Sequence, residues 1–582
     1  MTTPAPGRDA PSAGEGLGAR LLRFLPGRRD FDLEHLRSDL LAGVTVAFVA
    51  LPLALGFGVT SGAGAAAGVV TAIVAGFVAA LFGGSKFQVT GPTGAMTAVL
   101  LGIVAQYGPG ALPLLGVAAG LILVVLGFLG IGSYIRFVPW PVVTGFTNGI
   151  AVIIFLQQLP AVLGVPQVPT ESILLLAVRT VRTWSADPGF LPLVLALLTV
   201  AVMLAWGRVK ALAAVPASMA ALVVVSLVSL LPVFGGVARI GALPRSLPLP
   251  VLPTLPSGDG WVDLARAALA VAVLAALESL LSAVVADGMT VGEKHDPDRE
   301  LFGQGLGNIA VGLFGGVPAT AALARTAVNV RSGARTRLAA MVHAVALLAI
   351  VLFLAPLAAR VPLAVLGGVL MVVAVRMVEH HASVLILRST KSDAFVMLLT
   401  LVVTVLFDLI LAIEVGLVAA AVLFIVRMSS TFRVDPLDLA GSDERPLMTD
   451  DDAAALERVR DRVIALRVEG PIFFGAAERF IDQMLKVDKG IRVVILRLRK
   501  VPVLDATGAT ALKALKERIA RRGGELVVSA LQPQPRNVLK RMGLYDEVTS
   551  HGRLEFASTG EAIAAAVAIA SREHANPEPA SA

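Results

Sequence analysis

The chain has 582 residues, of which 56% are hydrophobic and 16% are charged, and it contains no cysteine. Its mean hydropathy of +0.81 lies far above that of soluble globular proteins and indicates a polytopic membrane protein. The absence of cysteine excludes disulfides, thiolate metal sites and a cysteine nucleophile. The net charge is +7, but no basic face interleaved with aromatic residues is present, so a nucleic-acid partner is not indicated.

The N-terminal residues 1–38 are polar, basic and rich in Pro, Gly and Ala. They lack the uninterrupted apolar core of a secretory signal peptide, so the sequence gives no sign of cleavage. We expect a cytoplasmic N-terminal segment that precedes the membrane domain.

Apolar runs then recur at close to the length of a membrane-spanning helix, which is about 20 residues. They predict fourteen transmembrane segments within a membrane domain of residues 39–430, although several are too short to span a bilayer as simple helices. The segments are residues 41–59, 65–81, 92–104, 111–131, 137–159, 190–206, 213–231, 264–286, 301–314, 317–330, 338–357, 362–375, 394–409 and 410–428.

Basic residues are concentrated in alternate connections between these segments. With a cytoplasmic N-terminus, the positive-inside rule places Lys and Arg after the even-numbered segments. The connections at residues 171–187 and 239–263 are exceptions, because they are predicted outside and carry Arg. We expect a multi-pass protein of the inner (plasma) membrane with both termini in the cytoplasm. The basic residues that support this topology include Lys86, Arg136, Arg208, Lys210, Lys294, Arg299, Arg331, Arg335, Arg337, Arg376, Arg388 and Lys391.

Seven segments fall in each half of the membrane domain, at about residues 39–232 and 262–430. Tandem halves with an odd number of segments must have opposite orientations, which is the inverted-repeat plan of many secondary transporters. The third and tenth segments then correspond, and both are irregular. Residues 87–99 and 315–328 each combine an extended opening, a Pro and a helix start rich in Gly, Ala and Thr. Paired interruptions of this kind indicate a transporter site.

The tenth segment also carries Arg325 among apolar residues. From Gly316, five extended residues descend about 16 Å, to the middle of a ~30 Å bilayer core, where the helix would start. Its amide end carries partial positive charge, and helical side chains lean back toward that end, so two opposed helix ends and Arg325 predict an anion site. The alternative is that Arg325 anchors a short helix at the cytoplasmic interface. The predicted anion-binding residues are Thr90, Gly91, Thr93, Gly94, Ala322, Leu323, Ala324 and Arg325.

The eighth segment carries a second charged residue, Glu278. A carboxylate inside an apolar span requires a partner, a cation or a proton. Ser282 lies one turn further on the same helix face, so the pair is a candidate coupling site for Na⁺, or Glu278 is a proton carrier. The sequence does not separate Na⁺ from H⁺, and a structural hydrogen bond from Glu278 to a neighbouring helix is the alternative.

Other polar or helix-breaking residues have simpler interpretations. Asp408 and Glu414 flank a short predicted turn and are expected to be surface charges. In the first segment, Pro52, Gly56 and Gly58 predict a kink and close packing rather than ligand contact.

The composition changes after Met428. Residues 431–445 predict a linker, residues 446–571 a small α/β domain, and residues 572–582 a disordered tail. Strands are predicted at residues 463–468, 493–498 and 525–529. A loop formed by Asp505, Ala506, Thr507 and Gly508 follows a strand and opens a helix, where backbone amides could hold a phosphate. One glycine is a weak signal for that, so an interaction module is the preferred interpretation.

The sequence also resembles the SulP (sulfate permease) family of anion transporters with a C-terminal STAS domain. The resemblance is carried by SDLLAGVTVA at residues 38–47, by ELFGQGLGNI at residues 300–309, and by RTAVNVRSGART at residues 325–336. It implies core and gate domains, elevator-like movement, a homodimer, and an anion between the third and tenth helix ends. Glu278 and Ser282 match the positions where Na⁺-coupled bicarbonate transporters of the family place an acid and a hydroxyl.

The sequence departs from the family pattern at two places. Many members have Ser just before the arginine, whereas this chain has Ala322, Leu323 and Ala324, so hydroxyl contacts to the anion are missing there. STAS domains that act as phosphorylated anti-sigma antagonists have Ser after the loop Asp. Here that position is Ala506, with Thr507 next to it, and we expect no phosphoswitch.

We therefore expect a transporter and not an enzyme. The expected activity is symport of a small inorganic anion of the sulfate and bicarbonate class, coupled to Na⁺ or H⁺, with no other cofactor. One alternative is H⁺-coupled transport of a dicarboxylate. Another is a membrane-anchored signalling protein whose STAS domain binds a cytoplasmic regulatory partner.

Overall fold

The computed structural model describes residues 24–27, 31, 33–166, 172–208, 215–241, 246–253, 261–290, 292–407, 409–437, 454, 457–485 and 490–575. Two compact units are present, Met1–Val418 and Ala419–Ala582. The first unit is a bundle of apolar helices, and the second contains a five-stranded sheet.

Seventeen α-helices lie between residues 36 and 430 of the described chain, and we number them in order. They are α1 Leu36–Thr60, α2 Ala65–Phe82, α3 Gly94–Tyr107, α4 Leu112–Phe128, α5 Trp140–Gln157, α6 Leu159–Leu163, α7 Ile173–Ala186, α8 Phe190–Trp206, α9 Ala217–Val228, α10 Trp261–Met289, α11 Pro297–Leu313, α12 Leu323–Arg331, α13 Leu338–Ala358, α14 Leu363–Met377, α15 His380–Arg388, α16 Lys391–Leu406 and α17 Leu409–Ser430.

Helices lie on all fourteen predicted segments. Eight helical stretches of the described chain are long and apolar enough to cross a membrane, so the total of fourteen crossing segments stays a prediction. The sequence analysis missed α6, α7 and α15, which are short or amphipathic. One exception to the positive-inside pattern falls on helix α7, where Arg179 and Arg182 are exposed. Glu414 is exposed, as expected, and Asp408 lies outside the described residues.

Glycines let several helices pack with their backbones nearly in contact. A Cβ at Gly305 of α11 would lie 2.7 Å from the carbonyl oxygen of Gly120 on α4, which is too close for any side chain. Between α1 and α2, a Cβ at Gly58 would lie 2.9 Å from the Cα of Gly68. The prediction that Gly58 marks close packing is therefore confirmed.

Two short strands interrupt the helical bundle. Strand β1 (Thr90–Gly91) precedes α3, and strand β2 (Thr320–Ala321) precedes α12. They pair antiparallel, with Thr90 opposite Ala321. These are the two irregular stretches predicted from the sequence, and their pairing brings the two halves of the membrane domain together. The predicted helix start near Thr320 is three residues too early, because the strand occupies that position.

Side chains of neighbouring helices satisfy the backbone of the second interruption. The Asn308 side chain on α11 exchanges two hydrogen bonds with the backbone of Ala319, at 2.8 and 2.9 Å. The Thr71 hydroxyl on α2 accepts a hydrogen bond from Val317 N at 2.7 Å. All of these groups are buried, and irregular backbone at membrane depth requires such partners.

The second unit contains a sheet in the order β3-β4-β5-β6-β7, formed by Arg433–Pro436, Val463–Glu469, Val493–Lys500, Glu525–Ser529 and Glu555–Phe556. Strand β3 is antiparallel to β4, and the other pairs are parallel. In the described residues after β4, the helices are α18 Phe474–Leu485, α19 Ala506–Ala520, α20 Pro533–Arg541, α21 Tyr545–Thr549 and α22 Thr559–Ala575. The predicted strands at 463–468, 493–498 and 525–529 are confirmed.

Two domain boundaries require correction. The predicted linker at residues 431–445 includes β3, which pairs with β4 and so belongs to the sheet. The predicted disordered tail at residues 572–582 overlaps α22, which continues to Ala575. Residues 438–445 and 576–582 lie outside the described residues.

The close approach of α4 and α11 makes a prediction about stability. Gly305→Val should destabilise the protein by about 1–3 kcal/mol, because the added side chain meets the Gly120 carbonyl. The thermal unfolding midpoint of detergent-purified protein measures the change. Gly102→Val in α3 is the matched control, since no atom lies within 4 Å of its added Cβ. Equal midpoints for the two variants would contradict this account of the packing.

Candidate functional site

The pairing of β1 with β2 places two helix starts at one location. The chain leaves β1 into α3 after the N-cap residue Thr93, and it leaves β2 into α12 after Ala322. Because the strands are antiparallel, the helices diverge from the crossing in opposite directions and both direct their amide ends toward it. Each end carries about half a positive charge, so the crossing favours an anion.

The two helix starts differ in how their amides are satisfied. In α3, the Thr93 hydroxyl accepts a hydrogen bond from Met96 N at 3.4 Å. In α12, Ala322 has no side chain that caps the helix, and Leu323 and Ala324 are exposed. The first amides of a helix have no intrahelical acceptor, so those of Leu323 and Ala324 are available to a ligand.

Arg325 reaches from α12 to the start of α3. Its side chain is 1% exposed, and its Nη2 donates a hydrogen bond to the carbonyl oxygen of Pro92 at 2.9 Å. Its Nε and Nη1 have no hydrogen-bond partner among the described residues. Nη1 lies against Gly91, where a Cβ would be 2.5 Å away. This buried position does not match the alternative of an anchor at the membrane surface.

Glu278 of α10 lies on the same crossing. Its Oε2 accepts hydrogen bonds from the hydroxyls of Thr93 at 2.9 Å and Thr320 at 2.7 Å. These two hydroxyls are 3.0 Å apart. Both hydroxyls donate to Oε2. The other carboxylate oxygen accepts no hydrogen bond from the described residues. The carboxylate therefore links the N-cap of α3 to β2.

Ser282 contacts a different residue from Glu278. Its hydroxyl lies 3.3 Å from that of Thr326 on α12, which also accepts a hydrogen bond from Val89 N at 3.2 Å. Glu278 and Ser282 thus have different hydrogen-bond partners, and a coupling-ion site formed by both stays a prediction. The hydroxyls beside the carboxylate belong to Thr93 and Thr320 instead.

Thr90 was predicted as an anion contact, but its side chain faces the interior. The Thr90 hydroxyl accepts a hydrogen bond from Nε2 of Gln304 at 2.7 Å, and Thr90 is 2% exposed. Of the eight predicted anion-binding residues, Leu323 and Ala324 are exposed and Ala322 is half-buried. Thr90 and Arg325 are buried in the protein.

Sequence reasoning missed several polar residues that support the crossing. Ser279 accepts a hydrogen bond from Ala321 N at 3.1 Å, and its carbonyl oxygen accepts one from Gln88. Gln304 holds Thr90. All three are buried polar side chains, Ser279 and Gln304 in predicted membrane segments and Gln88 in the irregular stretch 87–99, and that feature was the available signal.

In the loop at residues 505–508, the side chain of Asp505 binds the start of the following helix. Asp505 is the N-cap of α19, and its Oδ1 accepts a hydrogen bond from Gly508 N at 2.7 Å. Its Oδ2 accepts one from Phe474 N at 3.0 Å. The Asp505 carboxylate already accepts from the Gly508 amide and places negative charge at this helix start, which makes it a poor phosphate site.

Known protein families match both parts of the chain, the membrane domain and the C-terminal α/β domain. The sequence matches the sulfate permease family over residues 36–400 and the STAS domain over residues 455–561. It is 37% identical over 535 residues to "Putative sulfate transporter YvdB" of Bacillus subtilis (strain 168), covering 90% of this chain and 97% of that protein. It is 32% identical over 526 residues to "Bicarbonate transporter BicA" of Picosynechococcus sp., covering 88% and 92%.

Solved structures show the same fold. The transmembrane domain of a cyanobacterial bicarbonate transporter BicA has a TM-score of 0.60 and 30% identity, covering 67% of this chain and 99% of that one. Murine solute carrier 26 family member A9, in the inward-facing state, has a TM-score of 0.82 and covers 96% of both chains. At 17% identity, that likeness concerns the fold alone. The chain is a multi-pass membrane protein that belongs to the sulfate permease family of anion transporters and carries a C-terminal STAS domain.

Proposed function

We propose that this protein is a cation-coupled symporter of a small inorganic anion, which binds between the starts of α3 and α12 while Glu278 carries the coupling ion. The observation that carries the proposal is the antiparallel crossing of β1 and β2, with Arg325 behind it and Glu278 beside it. A membrane anchor for a signalling domain needs neither buried charge, so the crossing favours transport over that alternative.

Charge explains how the two ligands would be coupled. Glu278 and Arg325 interact electrostatically, and together they have no net charge when the carboxylate is ionised. A proton or Na⁺ at Glu278 leaves one uncompensated positive charge at the crossing. The anion then gains the full attraction of Arg325 and of both helix ends. Binding of either ligand thus favours binding of the other, as symport requires.

Contacts among the helices support an elevator movement. The membrane helices pack in two groups: α4 packs with α11 and α1 with α13 in one group, whereas α5 packs with α16 and α14 with α8 in the other. We assign α1–α4 and α10–α13 to a core and the other membrane helices to a gate. The core would carry the anion past the gate in a homodimer, with both termini in the cytoplasm and the chain in the inner membrane.

The relatives direct the choice of substrates to test. Two are named for sulfate and bicarbonate, so these are the first candidates here. Purified protein in vesicles should take up one of them under an inward Na⁺ or H⁺ gradient, and the gradient that drives uptake identifies the coupling ion. A dicarboxylate tests the alternative substrate class. Absence of uptake of all three anions under both gradients would overturn the proposal.

Glu278→Gln tests the coupling role. The amide oxygen still accepts hydrogen bonds from Thr93 and Thr320, so the fold is kept, but the side chain neither ionises nor binds a proton. Uptake should lose its stimulation by the ion gradient. The measurement is the ratio of initial uptake rates with and without the gradient. A ratio equal to that of the unmodified protein would assign Glu278 a purely structural role.

Arg325→Ala tests the anion site. The apparent KM should rise about tenfold or more, since a desolvated charge interaction is worth over 1.4 kcal/mol, while expression changes less. Arg331→Ala is the matched control, because Arg331 lies exposed at the other end of α12. Equal KM values for the two variants would show that Arg325 does not contribute to anion binding.

For the STAS domain we propose a role in binding a cytoplasmic regulatory protein, without phosphorylation of the loop.

Asp505→Ala should destabilise the start of α19 by about 1 kcal/mol, because its capping bond is lost. Hydrogen–deuterium exchange of residues 506–510 in the full-length protein should accelerate. Asp505→Asn is the control, since its side chain still caps. If inorganic phosphate protected these amides from exchange in the unmodified protein, the loop would bind phosphate, and the assignment of Asp505 as the group that occupies this helix start would be wrong.

A further inference from the structure

The last apolar helix of the chain leads almost directly into the sheet of the second unit. Residues Leu411–Ser430 of α17 form a span of 20 residues that is apolar enough to cross a membrane, and only 11% of it is buried in the protein. Its length is about 30 Å, which matches the hydrocarbon core of a bilayer. Strand β3 begins at Arg433, after Thr431 and Phe432. The start of β3 therefore lies within about 10 Å of the helix end, at the membrane surface.

Strand register places one edge of the sheet at this surface. Arg433 is opposite Glu469, the last residue of β4, and Glu469 is opposite Lys500, the last residue of β5. The start of β3 and the ends of β4 and β5 thus lie side by side. Residues 470–473 and 501–505 follow β4 and β5, so these loops belong to the same edge of the domain.

Direct contacts join the end of α17 to this edge. The hydroxyl of Ser429, which is buried, donates a hydrogen bond to the carbonyl oxygen of Gly475. Phe432 belongs to the core of the domain, where its ring centroid lies 6.1 Å from that of Phe480. The chain around Gly475 is therefore held at the depth of the helix end.

Two apolar side chains are exposed at this edge. Phe474 is 60% exposed and Val503 is 46% exposed. They belong to adjoining loops, because Ile472 N donates a hydrogen bond to Val503 O at 2.9 Å. Phe474 precedes Gly475, the partner of Ser429, so its ring lies at the depth of the lipid headgroups, a layer about 5–7 Å thick on each face of a bilayer. Apolar side chains at that depth are stabilised by leaving water.

The same edge carries an excess of positive charge. Four exposed basic residues lie at the end of α17, the start of β3 and the end of β5: Arg427, Arg433, Arg499 and Lys500. The acidic residues have partners. Glu469 accepts a hydrogen bond from Lys500 at 2.6 Å, and Asp505 accepts from two backbone amides. Asp435 lies further along β3, opposite Arg467. Exposed Lys and Arg next to a membrane favour anionic lipids.

We propose that this edge of the STAS domain binds the membrane surface, with Phe474 and Val503 inserted among the headgroups and the basic residues bound to anionic phospholipids. A bilayer is favoured over a protein partner because the edge continues from the last turns of α17, where Phe424 and Val426 are exposed. The domain is thereby held in one orientation at the membrane, and a regulatory protein would bind another of its faces. Transport activity is not required for this contact.

Fluorescence quenching tests the contact, and the absence of cysteine allows single-site labelling of the full-length protein. Ala506→Cys, at an exposed position where α19 starts, carries a nitrobenzoxadiazole probe in nanodiscs of phosphatidylcholine and phosphatidylglycerol. Lipids with a spin label on the headgroup should quench this probe. Ala520→Cys is the matched control, since Ala520 is exposed at the other end of α19, about 21 Å away. A water-soluble nickel chelate should quench the control, whereas the spin-labelled lipid should not. Thr507→Cys, also at an exposed position, serves if Ala506→Cys fails to fold.

The pattern of quenching separates the possible occupants. Lipid quenching of the probe at position 506, but not of that at position 520, supports the proposal. Quenching of both probes by the chelate alone would leave the edge in water and overturn it. Shielding of the probe at position 506 from both quenchers would show that a protein, either a soluble partner or a second copy, covers this edge, and would also overturn it.

Phe474→Ser tests the inserted ring, with the probe at position 506. Fluorescence lifetimes separate quenched from unquenched molecules, and the ratio of these populations should fall at least about tenfold, because the apolar ring is lost. Met542→Ser is the control, since it removes an exposed apolar side chain just after α20 and should leave the ratio unchanged. Equal ratios for the two variants would overturn the proposal.

Arg433→Gln tests the preference for anionic lipids. The same ratio should fall about fivefold in nanodiscs that contain phosphatidylglycerol and stay unchanged in nanodiscs of phosphatidylcholine alone. Arg521→Gln is the charge-matched control, because Arg521 is exposed at the end of α19 that lies away from this edge. An equal fall in both lipids, or an equal fall for both variants, would overturn the assignment of Arg433 to an anionic headgroup.

Discussion

Two stretches of non-helical backbone inside the membrane unit impose the constraint on which the rest of this structure depends. Peptide groups at membrane depth have no water to bind, so each must find a partner within the protein. Part of the solution is mutual, because β1 and β2 pair with each other. The remaining peptide groups bond to buried side chains such as those of Asn308 and Ser279. The two halves of the sequence are thereby joined at their interruptions.

The same solution creates the electrostatics of the site. Pairing the two interruptions antiparallel brings two helix starts together, and their partial charges add at the crossing. A full positive charge then comes from Arg325 and a negative one from Glu278. Both residues also hold the crossing together, since Arg325 bonds Pro92 and Glu278 bonds Thr93 and Thr320. The structural contacts and the proposed functional roles therefore involve the same atoms, and only the conservative substitution at Glu278 separates them.

Local sequence predicted the interruptions and the two charges, because a Pro, small residues and a lone ionisable side chain stand out within an apolar run. Contacts between distant residues were beyond such reasoning. Thr93 lies 185 residues before Glu278, and only the fold brings their side chains together. Helical periodicity related Ser282 to Glu278 on one helix, but it says nothing about neighbouring elements, so the contact of Glu278 with Thr320 was not predicted. Strands β3 and β7 were missed for a similar reason, since a short edge strand is defined by its partner.

The hydrogen bonds around Glu278 suggest how loading of the proposed coupling ion would reach the proposed anion site. The Thr93 hydroxyl donates to the ionised carboxylate while it accepts from Met96 N, so both of its roles are in use. A proton on Oε2 would add a donor where two hydroxyls now donate, so one of these hydroxyls would have to turn and accept in order to bond that proton. Because Thr93 caps α3, this change alters the helix start that faces the anion. In the proposed symport, coupling would require no long pathway, since the Thr93 side chain bonds Glu278 and also caps the helix start that faces the proposed anion site.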